Sequence, residues 1–168
     1  ADALACFGRM DLLVNNASSF YPTPVDQADD ADWDRLVHSN LRAPFILSQK
    51  LAPALSERHG SIVNIVDVYA EKPLQHHTLY CMAKAGLAMM TRSLARELGP
   101  DIRVNGVSLW PEAGQMNQQD IQDATALKRC GTPQDIAETV WWLGTQAPFV
   151  TGQILAVDGW RSLTLQGS

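Results

Sequence analysis

Four short runs dominated by Val, Ile and Leu constrain this chain more than any other feature: Asp11 to Asn15, Ser61 to Asp67, Ile102 to Val107 and Gln153 to Val157. Segments of helical periodicity separate them. Near-continuous apolar strands alternating with helices form the pattern of a parallel sheet with crossover helices, its strands buried on both faces. The expected fold is α/β, a doubly wound parallel sheet, and 168 residues suffice for one domain with a single core. The opening ADALACFGRM reads as the last turns of a helix stopped by Gly8. A long helix is expected from about Asp30 to Arg58, with a core stripe of Trp33, Leu36, Val37, Leu41, Phe45, Leu47, Leu51 and Leu55, and Gly60 ends it. Pro44 lies inside it, which predicts a kink near Asn40 or two helices in series. A second helix from Thr78 to Leu98 has core positions Leu79, Ala83, Leu87, Met90, Leu94 and Leu98. A third starts at Thr132, Pro133 and Asp135, which supply a cap, a first-turn proline and an acid at the positive end, and Trp141, Trp142 and Leu143 pack it.

Charge and cysteine content narrow the function classes. With 18 acidic against 13 basic residues the net charge is −5, which offers no cationic footprint for nucleic acid or anionic lipid. Nothing reads as a signal peptide, and no apolar run approaches the roughly 20 residues that cross a bilayer. Cys6, Cys81 and Cys130 lack CxxC spacing and fit reduced thiols of a cytoplasmic protein better than disulfides or zinc. Cys81 reads as a helix packing residue. His76 and His77, adjacent in a polar loop, read as exposed rather than metal-binding.

The candidate chemistry lies in Asp67, Tyr80 and Lys84. Tyr80 and Lys84 are four apart, so a helix stacks them on one face, beside its core stripe. A phenol loses its proton near pH ~10, and an adjacent ammonium favours the phenolate, so the spacing predicts a lowered phenol pKa. Asp67 ends a strand, and in an open parallel sheet ligands bind beyond the carboxyl ends of the strands. The same Tyr–Lys spacing also suits an ordinary solvated helix face.

The order GSIVNIVD, twelve residues, YCMAKAGLAMMTRSLARELG, then IRVNGV resembles the short-chain dehydrogenase/reductase family, whose signature is YxxxK one turn into the helix after such a strand. The resemblance implies a Rossmann-like fold, proton donation by Tyr80 as hydride arrives from a nicotinamide cofactor, and a Lys84 that also holds the nicotinamide ribose. Asn15, Asn16 and Ala17 match the family's NNAG element, with Ser18 in place of Gly; the resemblance implies that this element steadies the sheet and touches the cofactor's adenosine side, with Asn15, Ala17 and Ser18 as its cofactor-binding residues. Asn40 matches a helix Asn whose carbonyl holds a water in a proton relay to the Lys; a polar residue at a kink is the plainer alternative.

The longer string NNASSFYPTP looks like the corresponding loop of the pteridine reductases, and it transfers to Phe20 the role of stacking on the substrate ring. Asp67 agrees with that subgroup, since most of the family has Ser there. Without the resemblance, Phe20 and Tyr21 read as hydrophobic anchors of a Pro-rich loop. The implied function is NADPH-dependent reduction of a dihydrobiopterin-like or dihydrofolate-like ring, by a homo-oligomer, dimer or tetramer. The alternatives are a reductase for a ketone or acyl-carrier substrate, and an inactive fragment with an assembly role.

Two departures stand out. After IRVNGV the family's Pro-Gly turn is missing and Ser108 passes into LWPEAG; the lid expected over Gln115 to Leu127 is short. No TGxxxGxG run occurs anywhere. Residues 1–168 are therefore expected to be a single reductase domain without its N-terminal nucleotide-binding βαβ portion, the sheet being incomplete on that side.

Overall fold

The computed structural model describes residues 2–109 and 118–159. In chain order the elements are α1 (Asp2–Phe7), β1 (Leu12–Asn15), α2 (Asp30–Val37), a π-helical turn (His38–Arg42), α3 (Ala43–Ser56), β2 (Ser61–Asp67), a 3-10 turn (Val68–Ala70), α4 (Thr78–Leu98), β3 (Arg103–Leu109), α5 (Gln118–Ala124), α6 (Pro133–Thr145) and β4 (Ile154–Val157). Residues 110–114, which replace the expected Pro-Gly turn, and 115–117 of the expected lid lie outside the described residues, as does the end of the final TGQILAVDGW run.

All four strands are parallel, in the spatial order β1-β2-β3-β4. On one face Ile62, Val66 and Val104 pack against Leu55 of α3 and Leu87 and Leu94 of α4. On the other, Val63, Ile65 and Val107 pack against Val140 and Leu143 of α6. Helices thus cover both faces. Because the strands step in one direction while α6 lies opposite α3 and α4, the last crossover has the opposite hand to the first two. Only β2 is buried along its whole length. The edge strands β1 and β4 are half-exposed, with Val14 and Leu155 open to solvent, so the expectation of burial on both faces holds for the centre of the sheet and fails at its edges.

Local chemistry explains the boundaries. Asp29 caps α2 and Thr132 caps α6, each within a capping box whose third residue is Asp32 or Asp135. Between α2 and α3 the Ala43 amide closes on the His38 carbonyl, five residues back. Pro44 has no amide to close on the Asn40 carbonyl, and the chain adopts a π turn there. At Gly60 a Cβ would stand 2.7 Å from the Asp11 carbonyl, so glycine alone lets the end of α3 meet the start of β1. The guanidinium of Arg103 donates to the carbonyls of Leu143 and Gly144 at the end of α6, at 2.7 and 2.9 Å, and fastens that helix to β3.

Several apolar positions expected in the core are on the surface: Trp33, Phe45 and Leu47 of the first helical segment, and Trp141 and Trp142 of α6. Leu36 and Leu55 of the expected stripe are fully buried, and Asn40, Pro44 and Ser48 face inward with them. The apolar stripe is broader than the area the sheet covers, so its flanks stay open. Among the described residues no helix is long and apolar enough to cross a membrane.

Candidate active site

Asp67 ends β2 in an extended conformation and caps the 3-10 turn that follows. Its Oδ1 accepts from the Tyr69 amide at 3.0 Å, and its Oδ2 accepts from the Tyr80 hydroxyl at 2.5 Å. Tyr80 lies in the first turn of α4, and Lys84 follows one turn later. Lys84 Nζ donates to the Ile65 carbonyl at 2.9 Å and stands 5.7 Å from the centre of the Tyr80 ring, within cation–π range. The three side chains are 2 to 4% exposed. Tyr80 and Lys84 are therefore part of the buried face of α4, not at its edge.

That burial reverses one expectation. The spacing of Tyr80 and Lys84 predicts a lowered phenol pKa, whereas the phenol is held well above its ordinary range, first by burial and then by the charge of Asp67, to which it donates. Lys84 falls to about 8, because burial disfavours its charge more than Asp67 favours it. Burial also raises Asp67, against the opposing pull of the Tyr69 amide, the Tyr80 hydroxyl and Lys84. The phenol keeps its proton, and the carboxylate is the base of the pair.

Phe20 reaches this cluster from the loop after β1. Its ring meets Tyr80 edge-on, with centroids 4.8 Å apart and planes at 74°, and stacks on His77 at 4.8 Å and 18°. Two hydrogen bonds hold the loop: the Thr23 amide donates to the His76 carbonyl at 2.6 Å, and Asn40 Nδ2 donates to the Ser19 carbonyl at 2.9 Å. The aromatic contact makes His77 a half-buried part of the cluster and not the exposed loop residue expected. Asn40 is buried, its amide also donates to the Leu36 carbonyl, and its position ties the π turn to the Phe20 loop. Ala17 and Ser18 are exposed at the carboxyl end of β1. Cys81 packs inside, accepting from the Leu74 amide.

Asn15 points into the sheet. Its Nδ2 donates to Asn64 Oδ1 at 2.8 Å, and Asn64 Nδ2 donates to Thr91 Oγ1 at 2.9 Å, so a buried polar chain joins β1, β2 and α4. Sequence reasoning passed over Asn64 and Thr91. The available signal was a lone amide in the middle of the apolar run SIVNIVD.

Beside Asp67, at the carboxyl ends of β2, β3 and β4, lies a cavity of about 130 Å³ lined by Val66, Asp67, Val68, Glu71, Ser108 and Ala156, among others. An open groove of about 770 Å³ along α2 is lined by Trp33, Arg35, His38 and Arg42 and includes none of the three buried ionisable groups. The Lys84 ammonium uses one of its three N–H bonds on Ile65, and Asn15 Oδ1 and Asn40 Oδ1 are among the buried polar atoms without a hydrogen-bond partner among the described residues. Among those residues no cluster of His, Cys, Asp or Glu could hold a metal ion.

A family model described as enoyl-(acyl carrier protein) reductase matches residues 1–160. A (2S)-[(R)-hydroxy(phenyl)methyl]succinyl-CoA dehydrogenase subunit from Thauera aromatica is 39% identical, over 94% of this chain and 67% of that protein. Pteridine reductase 1 from Leishmania tarentolae is 37% identical, over 95% of this chain and 66% of that protein. A short-chain dehydrogenase/reductase structure from Brucella melitensis, titled glucose/ribitol dehydrogenase, superposes with a TM-score of 0.86 at 35% identity, covering 95% of this chain and 68% of that one. The chain spans about two thirds of the length of the curated relatives it matches.

Proposed function

Because this chain belongs to the short-chain dehydrogenase/reductase family, we propose that it carries the proton-transfer and substrate half of an NADPH-dependent reductase acting on a pteridine ring such as dihydrobiopterin or dihydrofolate. The observation that carries this reading is the Asp67–Tyr80 hydrogen bond with the Phe20 ring set against Tyr80. A carboxylate at the strand end suits a substrate with ring nitrogens and an exocyclic amine, to which it can accept hydrogen bonds or pass a proton. An aromatic ring beside it suits a flat heterocycle. The likeness to pteridine reductase 1 supports the same substrate class.

The residues present fit one end of the cofactor. Lys84, with two N–H bonds to spare, would hold the nicotinamide ribose hydroxyls, and Asn15, Ala17 and Ser18 would meet the adenosine side. A bound nicotinamide dinucleotide supplies the hydride. Tyr80, which keeps its proton across the neutral range, delivers it from Oη to the substrate nitrogen. Asp67 orients the ring and, with its raised pKa, can take or return that proton. Lys84, cationic below about pH 8, offsets the negative charge left on the phenol. Asn40, which holds the Phe20 loop, would extend the relay through its carbonyl. No glycine-rich turn for the pyrophosphate occurs in these 168 residues. In this reading they are one reductase domain without its N-terminal βαβ portion, and the half-exposed edge strand β1 is where further parallel strands would pair. Exposed apolar side chains on α3 and α4 (Phe45, Leu47, Met82, Met89) support assembly into a dimer or tetramer.

A second reading, a reductase for a ketone or acyl-thioester substrate, is favoured by the matching family description and by the relative from Thauera aromatica named as a hydroxy(phenyl)methylsuccinyl-CoA dehydrogenase. NADPH oxidation followed with dihydrobiopterin and, separately, with acetoacetyl thioesters distinguishes the two. In the pteridine reading the pterin is turned over, Tyr80→Phe abolishes turnover and Asp67→Ser depresses it. Turnover of thioesters alone, or full pterin activity in Asp67→Ser, refutes it.

A further inference from the structure

Phe20 stacks on His77 and stands T-shaped to Tyr80, yet the residue is 45% exposed. The imidazole covers the ring face it stacks on, and the exposed area lies on the rest of the residue. We propose that His77 is a positioning residue: it braces the Phe20 ring and holds it at a set angle to the Tyr80 ring, so that its exposed part serves as the platform for a flat heteroaromatic substrate. This rests on the pteridine-type reading above and adds to it a residue that the substrate itself does not touch.

The brace is itself held in place. His77 is the residue before the first turn of α4, so its backbone moves with the helix that carries Tyr80 and Lys84. Its Nδ1 lies 2.8 Å from the Gln75 carbonyl, which fixes the plane of the imidazole. Its neighbour His76, at a φ of 62°, accepts the Thr23 amide through its carbonyl and so ties the loop that carries Phe20 to the segment that carries the brace. Stack and tether therefore join the same two segments. A phenylalanine on an otherwise exposed loop would sample several rotamers, and binding would cost the entropy of selecting one; bracing removes that cost before the substrate arrives.

The test has two arms on the whole chain. In steady-state assays with NADPH and dihydrobiopterin, His77→Ala raises KM for the pterin about five-fold or more while kcat stays within two-fold, and His77→Phe restores KM. An unchanged or lowered KM in His77→Ala, with wild type active, overturns the proposal, as does failure of the aromatic variant to rescue. The second arm needs no substrate: with ring-labelled phenylalanine, the Phe20 signals, assigned through Phe20→Leu, shift downfield in His77→Ala as the stacked imidazole is lost. Absence of that shift overturns the brace. A downfield shift in His77→Ala together with a wild type that turns over no pterin refutes the pteridine reading and leaves the brace standing.

Discussion

The Tyr80 hydroxyl donates to Asp67 Oδ2 at 2.5 Å, and the proton between them belongs to the phenol. Burial and the adjacent carboxylate both oppose ionisation of Tyr80, burial being the larger cause. Removing the negative charge should therefore lower the phenol pKa, though not to its ordinary value. Tyr21 and Tyr69 are the other two tyrosines, so the titration is simple to follow. Phenolate absorbance against pH should show tyrosine ionisation in the wild type extending above the ordinary range, and Asp67→Asn should move part of it to lower pH. Identical titration curves would contradict the assignment.

Lys84 has a folded-state pKa of about 8, below its value of 10.5 in the unfolded chain. Between those values the unfolded state binds the extra proton, so this group makes stability rise with pH from about 8 to about 10.5; below pH 8 the buried charge costs its full amount, on the order of 3 kcal/mol. Urea unfolding at pH 7.5 and pH 9.5 should show that rise in the wild type and a smaller one in Lys84→Met. Activity should run the other way: kcat/KM should fall through a group titrating near 8, as the cation that favours the phenolate is lost. A flat profile to pH 9.5 would remove Lys84 from the mechanism.

Asn64 donates to Thr91 and accepts from Asn15 in a fully buried setting. Asn64→Ala leaves Asn15 Nδ2 without its acceptor and Thr91 with only its bond to the Leu87 carbonyl, opens space, and should cost roughly 2 to 4 kcal/mol in urea unfolding. Thr91→Val removes one end of the chain and should cost less.

Arg103 fastens α6 through the carbonyls of Leu143 and Gly144, and the segment that follows it through the Val150 carbonyl. Arg103→Met should lose about 1.5 to 3 kcal/mol of stability. Lysine should recover only part, since a point charge cannot reproduce the planar fork. Hydrogen exchange should localise the loss to the last turn of α6.

Much of this architecture was legible in the sequence because local rules fix it. The bounds of β2 and α4, the Asp67 strand end and the Thr132 capping box follow from periodicity and cap chemistry. Pro44 announced a disturbance near Asn40, though not its form, because a π turn and a kink answer the same missing amide equally well. Periodicity also says which side of a helix is apolar, but not whether anything in the same chain covers it; Trp33, Phe45 and Leu47 were misplaced for that reason. The phenol pKa failed for a related cause. Spacing places Lys84 near Tyr80, but only the three-dimensional structure shows the ammonium turned to the Ile65 carbonyl and the hydroxyl turned to Asp67.

Asn15 and Asn64 are paired in the parallel register of β1 and β2. A slip of one residue would set Asn15 against Val63 or Ile65, whose side chains offer it nothing to bond. The two asparagines thus act as a pin through the middle of the sheet, and because Asp67 stands three residues beyond Asn64 on the same strand, that pin also sets how far the acid projects from the sheet.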